Sequence, residues 1–271
     1  MREFKRVAKN QANKAIAVFT LMKIRFVLRK VPPLENVILI TAADESHFRS
    51  LVQLLNSIFE KIPNQKVIVY DLGLSRFQIS AFKKEFPLLV LKLFDYSAHP
   101  SFFDIKKDAG AYAWKPAIIK TVIDQYRMSV IWMDAGNVVH GNLEFEKKYM
   151  QEYGLFTTVS SGTIERWTHP KTISYMHAAD VMKLRELNGA CIGFSVLSPM
   201  AMAILNRWTE LSKIEECISP VGSNRENHRQ DQAIFSILVQ QEKRLRHLYS
   251  KFDSLNTPTR TLSYDIHRDI D

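Results

Sequence analysis

The first half of the chain alternates short apolar runs with stretches whose apolar residues recur at helical spacing. The apolar runs predict buried strands at residues 37–41, 66–71, 88–94 and 129–134. The intervening stretches predict a helix from Phe48, a helix that follows the turn at 72–75 and ends near Glu85, and a helix that opens at residues 114–116. Strands and helices that alternate in this way are typical of a mostly parallel sheet with helices on both faces.

The second half has a less regular pattern. It predicts a short strand at 155–159, a polar loop at 160–169, a helix from Pro170 to about residue 187, a strand at 188–197, a long helix from Pro199 and a helix opened by residues 228–232. We find no linker between the halves. We therefore expect a single Rossmann-like α/β domain over residues 34–271.

The N-terminal segment is strongly basic. Residues 1–30 hold nine basic side chains and one acidic one, and so account for +8 of the net charge of +9. Since the rest of the chain is nearly neutral, a basic groove for nucleic acid is not expected. Pro32 and Pro33 end the segment, so residues 1–33 predict a basic amphipathic helix and a linker. The helix either lies on an anionic membrane surface or packs on its own domain with a solvated basic face.

Composition and cysteine usage narrow the class of protein. Hydrophobic residues make up 46% of the chain, which is enough for a sizeable core. Lys23 and Arg25 interrupt the N-terminal apolar run, which is too short to span a bilayer. Cys191 and Cys217 have no metal-binding spacing and imply neither a disulfide framework nor a zinc site. We expect a cytoplasmic protein that is peripheral to the membrane.

The candidate chemistry lies where predicted strands end. Thr41, Asp44, Asp71 and Asp134 stand at or just beyond strand carboxyl ends, which is where open α/β sheets bind ligands. Lys115 stands at a helix start, and is either a phosphate ligand or a solvated lysine of the first turn. Carboxylates can bind ribose hydroxyls, while a lysine or a divalent cation neutralises a diphosphate. These residue types suit a nucleoside diphosphate.

Other nucleotide and hydrolase signatures are missing from the sequence. There is no Gly-x-Gly-x-x-Gly, no Gly-x4-Gly-Lys-Ser/Thr and no Gly-x-Ser-x-Gly. Dinucleotide enzymes, P-loop NTPases and α/β-hydrolases are therefore disfavoured.

The order of the motifs resembles GT-A-fold glycosyltransferases, especially the family that includes glycogenin and bacterial lipopolysaccharide galactosyltransferases. Residues 39–44 are similar to that family's first strand and base-binding loop, and residues 69–75 to its second strand and turn. Trp132-Met133-Asp134-Ala135-Gly136 stands where the family has Asp-x-Asp. Residues 188–190 resemble its acceptor-side strand, and Gln230-Asp231-Gln232 its Asp-Gln motif. The resemblance covers about residues 37–240.

The resemblance implies a nucleotide-sugar donor and roles for individual residues. It assigns Asp231 and Gln232 to catalysis, and it assigns to donor binding Thr41, Ala42, Asp44, Asp71, Lys115, Asp134, Gly136 and Gly189. Asp134 is also the candidate ligand of a divalent cation, manganese or magnesium. The second Asp of Asp-x-Asp is Gly136 here, so either Asp134 binds metal with other ligands, or Lys115 or Arg229 neutralises charge instead. His267 is a weak candidate for a C-terminal metal ligand.

The resemblance therefore predicts a glycosyltransferase that moves a sugar to a hydroxyl of a glycan or glycolipid, as in surface-polysaccharide synthesis. Two rivals stay open. One is a catalytically inactive GT-A-like binding or scaffold protein, which would explain Gly136. The other is a nucleotidyltransferase, which is disfavoured because no Gly-rich basic loop follows the first strand.

Overall fold

A computed structural model describes Phe19, residues 21–249 and the backbone of residues 262–264. A six-stranded sheet forms the centre, in the order β3-β2-β1-β4-β9-β6. Its strands are β1 (Ile38–Ala43), β2 (Val67–Asp71), β3 (Val90–Leu93), β4 (Val130–Met133), β6 (Leu155–Phe156) and β9 (Cys191–Phe194). The neighbours from β3 to β4 are parallel, and β9 runs antiparallel to both β4 and β6. The predicted mostly parallel α/β sheet is confirmed.

Helices cover the sheet and connect its strands. They are α1 (residues 21–28), α2 (Phe48–Lys61), α3 (Arg76–Glu85), α4 (Trp114–Tyr126), α5 (Glu144–Tyr153), α6 (Ile164–Trp167), α7 (Pro170–Tyr175), α8 (Pro199–Leu211), α9 (Glu215–Ile218), α10 (Gln230–Gln241) and α11 (Lys243–Arg246). Every residue of β1, β2 and β4 is buried. The sequences of these strands are therefore nearly continuous apolar runs, because helices pack on both faces of the sheet.

Two smaller pairs of strands flank the sheet. β5 (Asn137–Val139) pairs antiparallel with β10 (Leu262–Tyr264), and β7 (Val159–Thr163) pairs antiparallel with β8 (Arg185–Leu187). β5 follows β4 after a short turn at residues 134–136. This turn therefore lies between a strand of the central sheet and a strand paired with β10.

Two of the predicted elements are wrong. The helix predicted from Pro170 to about residue 187 ends at Tyr175, and residues 185–187 form β8. His177 adopts a φ of 49°, in the left-handed region that a helix cannot continue through. The polar loop predicted at 160–169 is instead β7 followed by α6. Its Ser-Ser-Gly-Thr sequence carries no strand pattern, and the pairing with β8 decides the structure.

Helix α1 presents two apolar faces. Leu21, Ile24 and Leu28 are buried in the same hydrophobic core as the sheet. On the other side Phe19, Met22 and Phe26 are exposed by 58%, 62% and 64%. Residues 1–18 and 20 of the predicted basic segment lie outside the described residues, as does His267. Within the described chain, no helix combines the length and the apolarity needed to cross a bilayer.

Candidate active site

A cleft of about 480 Å³ opens at the carboxyl ends of β1 and β4. Its floor is formed by residues that follow these two strands, Ala42, Ala43 and Asp44 after β1 and Asp134, Ala135 and Gly136 after β4. Aromatic rings of Tyr112, Trp114 and Trp132 and the guanidinium of Arg225 form other parts of its lining. The crevice beyond strand carboxyl ends is the usual ligand site of such sheets.

Asp134 is fixed in the cleft by its own strand and by β9. Its carboxylate oxygen Oδ1 accepts a hydrogen bond from Trp132 Nε1 at 2.6 Å. Residues two apart on a strand share a face, so this contact follows from the local sequence. The Asp134 backbone N–H donates to the carbonyl of Ala190 at 2.8 Å. The side chain is 38% exposed, which leaves it open to a ligand in the cleft.

Lys115 lies beneath Asp134 and is buried, with only 4% of its side chain exposed. Its ammonium is 3.0 Å from Asp134 Oδ1 and 3.3 Å from Asp231 Oδ2, and it donates to the carbonyl of Gly189 at 3.2 Å. Burial alone would lower the pKa of Lys115, but the two carboxylates raise it above its ordinary value. The structure therefore excludes a solvated first-turn lysine. It brings together four residues predicted separately from the sequence.

Asp231 forms the buried side of this ion-paired group. Its side chain is 5% exposed, and it is not among the residues that line the cleft. Burial raises its pKa to about 6, with a further contribution from Asp134 and against the opposing effect of Lys115. Asp231 is therefore linked to the cleft through Lys115 and Asp134 and not by its own exposure.

Gln232 and Gly189 lie on the β9 side of the same group. The Gly189 N–H donates to Gln232 Oε1 at 3.2 Å, and Gln232 Nε2 donates to Glu186 Oε1 at 3.4 Å. A Cβ atom at Gly189 would lie 3.3 Å from Gln232 Cβ, so a side chain there would crowd the glutamine. Burial raises the pKa of Glu186 well above its ordinary value, against the opposing effect of the hydrogen bond from Gln232.

Four of the predicted donor-binding residues do not line the cleft: Lys115 and Gly189, described above, and Thr41 and Asp71. Thr41 is 1% exposed and its Oγ1 has no hydrogen-bond partner within the described chain. Asp71 is 5% exposed, and its Oδ1 accepts from the backbone of Gly73 and Leu74 at 2.8 and 2.7 Å. That carboxylate is used by the turn that follows β2. Ala42, Asp44 and Gly136 do line the cleft.

The described side chains around Asp134 do not form a set of ligands for a divalent cation. Asp134 Oδ1 already contacts Lys115 and Trp132, and the position of the family's second carboxylate is Gly136. Among residues 21–249, no group of three or more His, Cys, Asp or Glu side chains has the spacing to hold a metal ion. The described side chains do not fit a metal ion held by the protein alone.

The wall formed by residues 108–112 has an unusual backbone. Asp108, Ala109, Ala111 and Tyr112 have φ angles of 47°, 53°, 48° and 54°, and Gly110 between them has 62°. Five consecutive left-handed residues are strained for L-amino acids. Trp114 Nε1 donates to the Ala109 carbonyl at 3.0 Å, and Gln230 Nε2 donates to Asp108 Oδ2 at 3.0 Å. These contacts fix the segment against two helices that carry site residues.

Sequence reasoning missed Arg225, which comes from an irregular loop before α10. Its guanidinium lines the cleft and stacks on Tyr112, 5.5 Å from the ring centroid. The loop has no periodicity, so no local pattern marked this arginine. By contrast, Trp132 lies within a motif that the sequence analysis identified, although it was not assigned a role.

The comparisons with known proteins give one family model and several solved structures of low sequence identity. No curated protein matches the sequence. A family model described as "Protein of unknown function (DUF1647)" matches residues 21–120. The galactosyltransferase LgtC, in complex with donor and acceptor sugar analogues, is similar with a TM-score of 0.50 at 15% identity, over 74% of this chain and 70% of that chain. Mouse xyloside xylosyltransferase 1 has a TM-score of 0.47 at 11% identity, over 79% of this chain and 84% of that chain.

The match to LgtC confirms the GT-A-like fold expected from the sequence resemblance. At this level of identity it shows the fold alone.

Proposed function

We propose that this protein is a glycosyltransferase that takes a sugar from a nucleotide diphosphate donor to a hydroxyl of a glycan or glycolipid. The observation that carries the proposal is the ion-paired group of Lys115, Asp134 and Asp231 at the floor of the cleft. A buried lysine between two carboxylates is costly to build and is seldom needed for packing alone. Support comes from the fold of LgtC, which was solved with donor and acceptor sugar analogues.

In this proposal Asp134 is the group that contacts the donor. Its contacts with Lys115 and Trp132 both go to Oδ1, so Oδ2 is left to accept hydrogen bonds from sugar or ribose hydroxyls. Lys115 and Asp231 are positioning residues, because both are buried and act through Asp134. Gln232 and Gly189 lie on the side where the acceptor would approach. The acceptor hydroxyl oxygen forms a bond to the anomeric carbon, and the bond between that carbon and the phosphate oxygen breaks. Negative charge develops on the departing diphosphate, and the hydroxyl proton is released to the diphosphate or to water.

The first test measures donor binding and turnover. Calorimetry and donor hydrolysis are measured with UDP-, GDP- and CMP-sugars, with Mn²⁺ and with EDTA. We expect Asp134→Asn to weaken binding or turnover by about tenfold or more, because a charge-assisted hydrogen bond is lost. Asp124→Asn is the matched control, since Asp124 pairs with Lys120 on the exposed face of α4. If Asp134→Asn behaves like Asp124→Asn, the site is wrongly assigned.

A catalytically inactive GT-A-like protein is the second candidate. Gly136 in place of an Asp and the burial of Asp231 against Lys115 both favour it. Such a protein would bind a nucleoside diphosphate or a glycan in the cleft without turning over any donor. Wild-type binding without hydrolysis or transfer would support this candidate over the enzyme.

We also propose that α1 attaches the protein to an anionic membrane. Phe19, Met22 and Phe26 are spaced along one exposed face, and Lys23, Arg25, Arg29 and Lys30 lie on the same short stretch of chain. Apolar side chains beside lysines and arginines suit the boundary between acyl chains and anionic headgroups. The other face of α1 packs on the core, so the helix would link the domain to the bilayer.

Vesicle flotation tests this attachment. The wild type should float with phosphatidylcholine vesicles that contain phosphatidylserine and not with phosphatidylcholine alone. The double substitution Met22→Ser with Phe26→Ser should remain in the soluble fraction. Phe77→Ser is the control, because Phe77 is 82% exposed on α3, away from the basic segment. Equal flotation of all three proteins would contradict the proposal.

A further inference from the structure

Three arginines, one of which lines the cleft, form no salt bridge with a described side chain. Among the residues that the structure describes, Arg166, Arg225 and Arg229 have no carboxylate within ion-pair distance. We refer to these three residues as the arginine cluster. Guanidinium groups placed close together without counter-charge are unfavourable by themselves. Such an arrangement suits an anion that binds between them.

Aromatic rings hold the arginine cluster in place. The guanidiniums of Arg166 and Arg229 lie over Trp167, 4.5 and 4.3 Å from the ring centroid. The Arg225 guanidinium lies over Tyr112 and donates to its hydroxyl. Burial lowers the pKa of Arg229, and the charge of Arg225 lowers it further, which shows that the positive charges are close. Stacked guanidiniums are ordered before a ligand binds, so less side-chain entropy is lost on binding.

Tyr112 connects the arginine cluster to the candidate active site. Its ring contacts Arg225 and also Lys115, whose Nζ is 5.7 Å from the ring centroid. The charge of Lys115 is already taken by Asp134 and Asp231. Among the described residues that line the cleft, Arg225 is the one lysine or arginine. A diphosphate in the cleft would therefore meet the carboxylate of Asp134 on one side and Arg225 on the other.

We propose that the arginine cluster is the counter-charge for the diphosphate of the donor, in the place where a carboxylate-bound metal ion would otherwise act. Arg225 contacts the phosphates, and Arg229 and Arg166 add positive charge behind it. A guanidinium offers two parallel N–H donors to phosphate oxygens, and its charge stabilises the leaving diphosphate as the sugar bond breaks. The nucleotide part of this inference rests on the proposed function. The binding of a diphosphate group does not.

The experiment uses the full chain and compares three probes by calorimetry. These are inorganic pyrophosphate, the nucleoside diphosphate of the donor panel that binds best, and its nucleoside without phosphates. Arg225→Ala should weaken the binding of pyrophosphate and of the nucleoside diphosphate about 10- to 100-fold and leave the binding of the nucleoside unchanged. Arg225→Lys should weaken the binding of both phosphates less, because it keeps the positive charge and loses only the pair of parallel N–H donors. Arg207→Ala is the control, since Arg207 is exposed on α8 and paired with Glu210.

Several results would overturn the inference. One is an Arg225→Ala variant that binds the diphosphate as tightly as the wild type does, with melting temperatures that show both proteins to be folded. Another is wild-type diphosphate binding that disappears in EDTA and returns with Mn²⁺, since the counter-charge would then be a metal ion. Competition by glucuronate but not by pyrophosphate would assign the cluster to an acidic acceptor instead.

The two proposals can fail separately. Pyrophosphate binding that depends on Arg225 without turnover of any nucleotide sugar would sustain the arginine cluster and defeat the glycosyltransferase. If the protein turns over a nucleotide sugar and Arg225→Ala does not change that turnover, the glycosyltransferase proposal is sustained and the arginine cluster is defeated.

Discussion

At the scale of single residues, Lys115 is the residue that connects the candidate active site, because it pairs with both Asp134 and Asp231. The sequence identified this lysine and both of its carboxylate partners, but it left open whether Lys115 is solvated. Its partner Asp134 directly follows β4, and its partner Asp231 lies in α10, far along the chain. Burial of a lysine is decided by such distant contacts, which a local pattern does not contain. The residue types were therefore predictable and their ion pairing was not.

Replacement of Lys115 should destabilise the protein strongly. Lys115→Met leaves the buried carboxylate of Asp231 without a counter-charge, and we expect a loss of about 3–5 kcal/mol in the free energy of unfolding. Adding Asp231→Leu should recover part of that loss, because it removes the buried charge. Chemical denaturation measures both. Lys120→Met is the control on the same helix, where the exposed pair with Asp124 should contribute about 1 kcal/mol or less.

Asp231 should make the stability depend on pH. Its pKa in the folded protein is raised to about 6, so the folded state holds the proton more tightly than the unfolded state. The stabilisation from this group is complete below the ordinary aspartate pKa and is lost as the pH rises through about 6. Relative to Asp231→Asn, the wild type should therefore lose unfolding free energy between about pH 4 and pH 7. Parallel pH profiles for the two proteins would contradict this assignment.

At the scale of elements, the wall at residues 108–112 departs most from what sequence reasoning can give. The sequence of residues 95–111 is polar and irregular, and it predicts no regular element. Runs of left-handed residues have no sequence signature apart from glycine, and here only Gly110 is one. The strain is tolerated because Trp114 and Gln230 hold the segment by hydrogen bonds. It shapes the cleft, since Ala109 and Tyr112 both line it.

Two substitutions in this wall should have opposite effects. Gly110→Ala would place a Cβ 2.2 Å from the carbonyl oxygen of Phe103, at a φ of 62°, and should cost about 2 kcal/mol or more. Ala109→Gly relieves a strained left-handed alanine and should leave stability unchanged or raise it by up to about 1 kcal/mol. Urea denaturation of both variants measures the difference. A destabilised Ala109→Gly would show that the segment is not strained.

The elements around the site were predictable to different degrees. The strands and helices up to β4 follow their apolar periods closely, because both faces of the parallel sheet are buried. The secondary structure predicted between Val159 and Leu187 was wrong, because β7 and β8 pair with each other and β8 also packs on α10. Glu186 therefore went unnoticed. Its position beside Gln232 depends on a strand that the sequence pattern assigned to a helix.

At the scale of the whole molecule, the N-terminal segment and the domain are less separate than the sequence suggested. The predicted boundary at residue 33 stays a prediction. The described part of the segment nevertheless contributes Leu21, Ile24 and Leu28 to the main core, each less than 7% exposed. The helix packs on its domain, as one of the two alternatives expected, and its other side is exposed, apolar and basic. Its attachment to a membrane stays a prediction.

Removal of the segment should therefore destabilise the protein. A chain that starts at Leu34 uncovers the core surface that three apolar side chains now cover, at about 1.5–3 kcal/mol for each. We expect a clear fall in the melting temperature and in the urea midpoint. In the full chain, Leu28→Ala should cost about 2–5 kcal/mol, while Val27→Ala on the outer side should cost less than about 1 kcal/mol. If Val27→Ala and Leu28→Ala are equally mild, the helix does not contribute to the core.

The pairing of β10 with β5 bears on how the protein can be handled. Tyr264 lies opposite Asn137, three residues after Asp134. From there, the seven residues to Asp271 can reach at most about 25 Å. An affinity tag or fluorescent protein fused after Asp271 would begin within that radius of Tyr264, whose partner Asn137 follows the turn that carries Asp134, and would obstruct large ligands there. Labels for binding assays are better placed on the far side, at an exposed position such as Leu88 in the turn before β3.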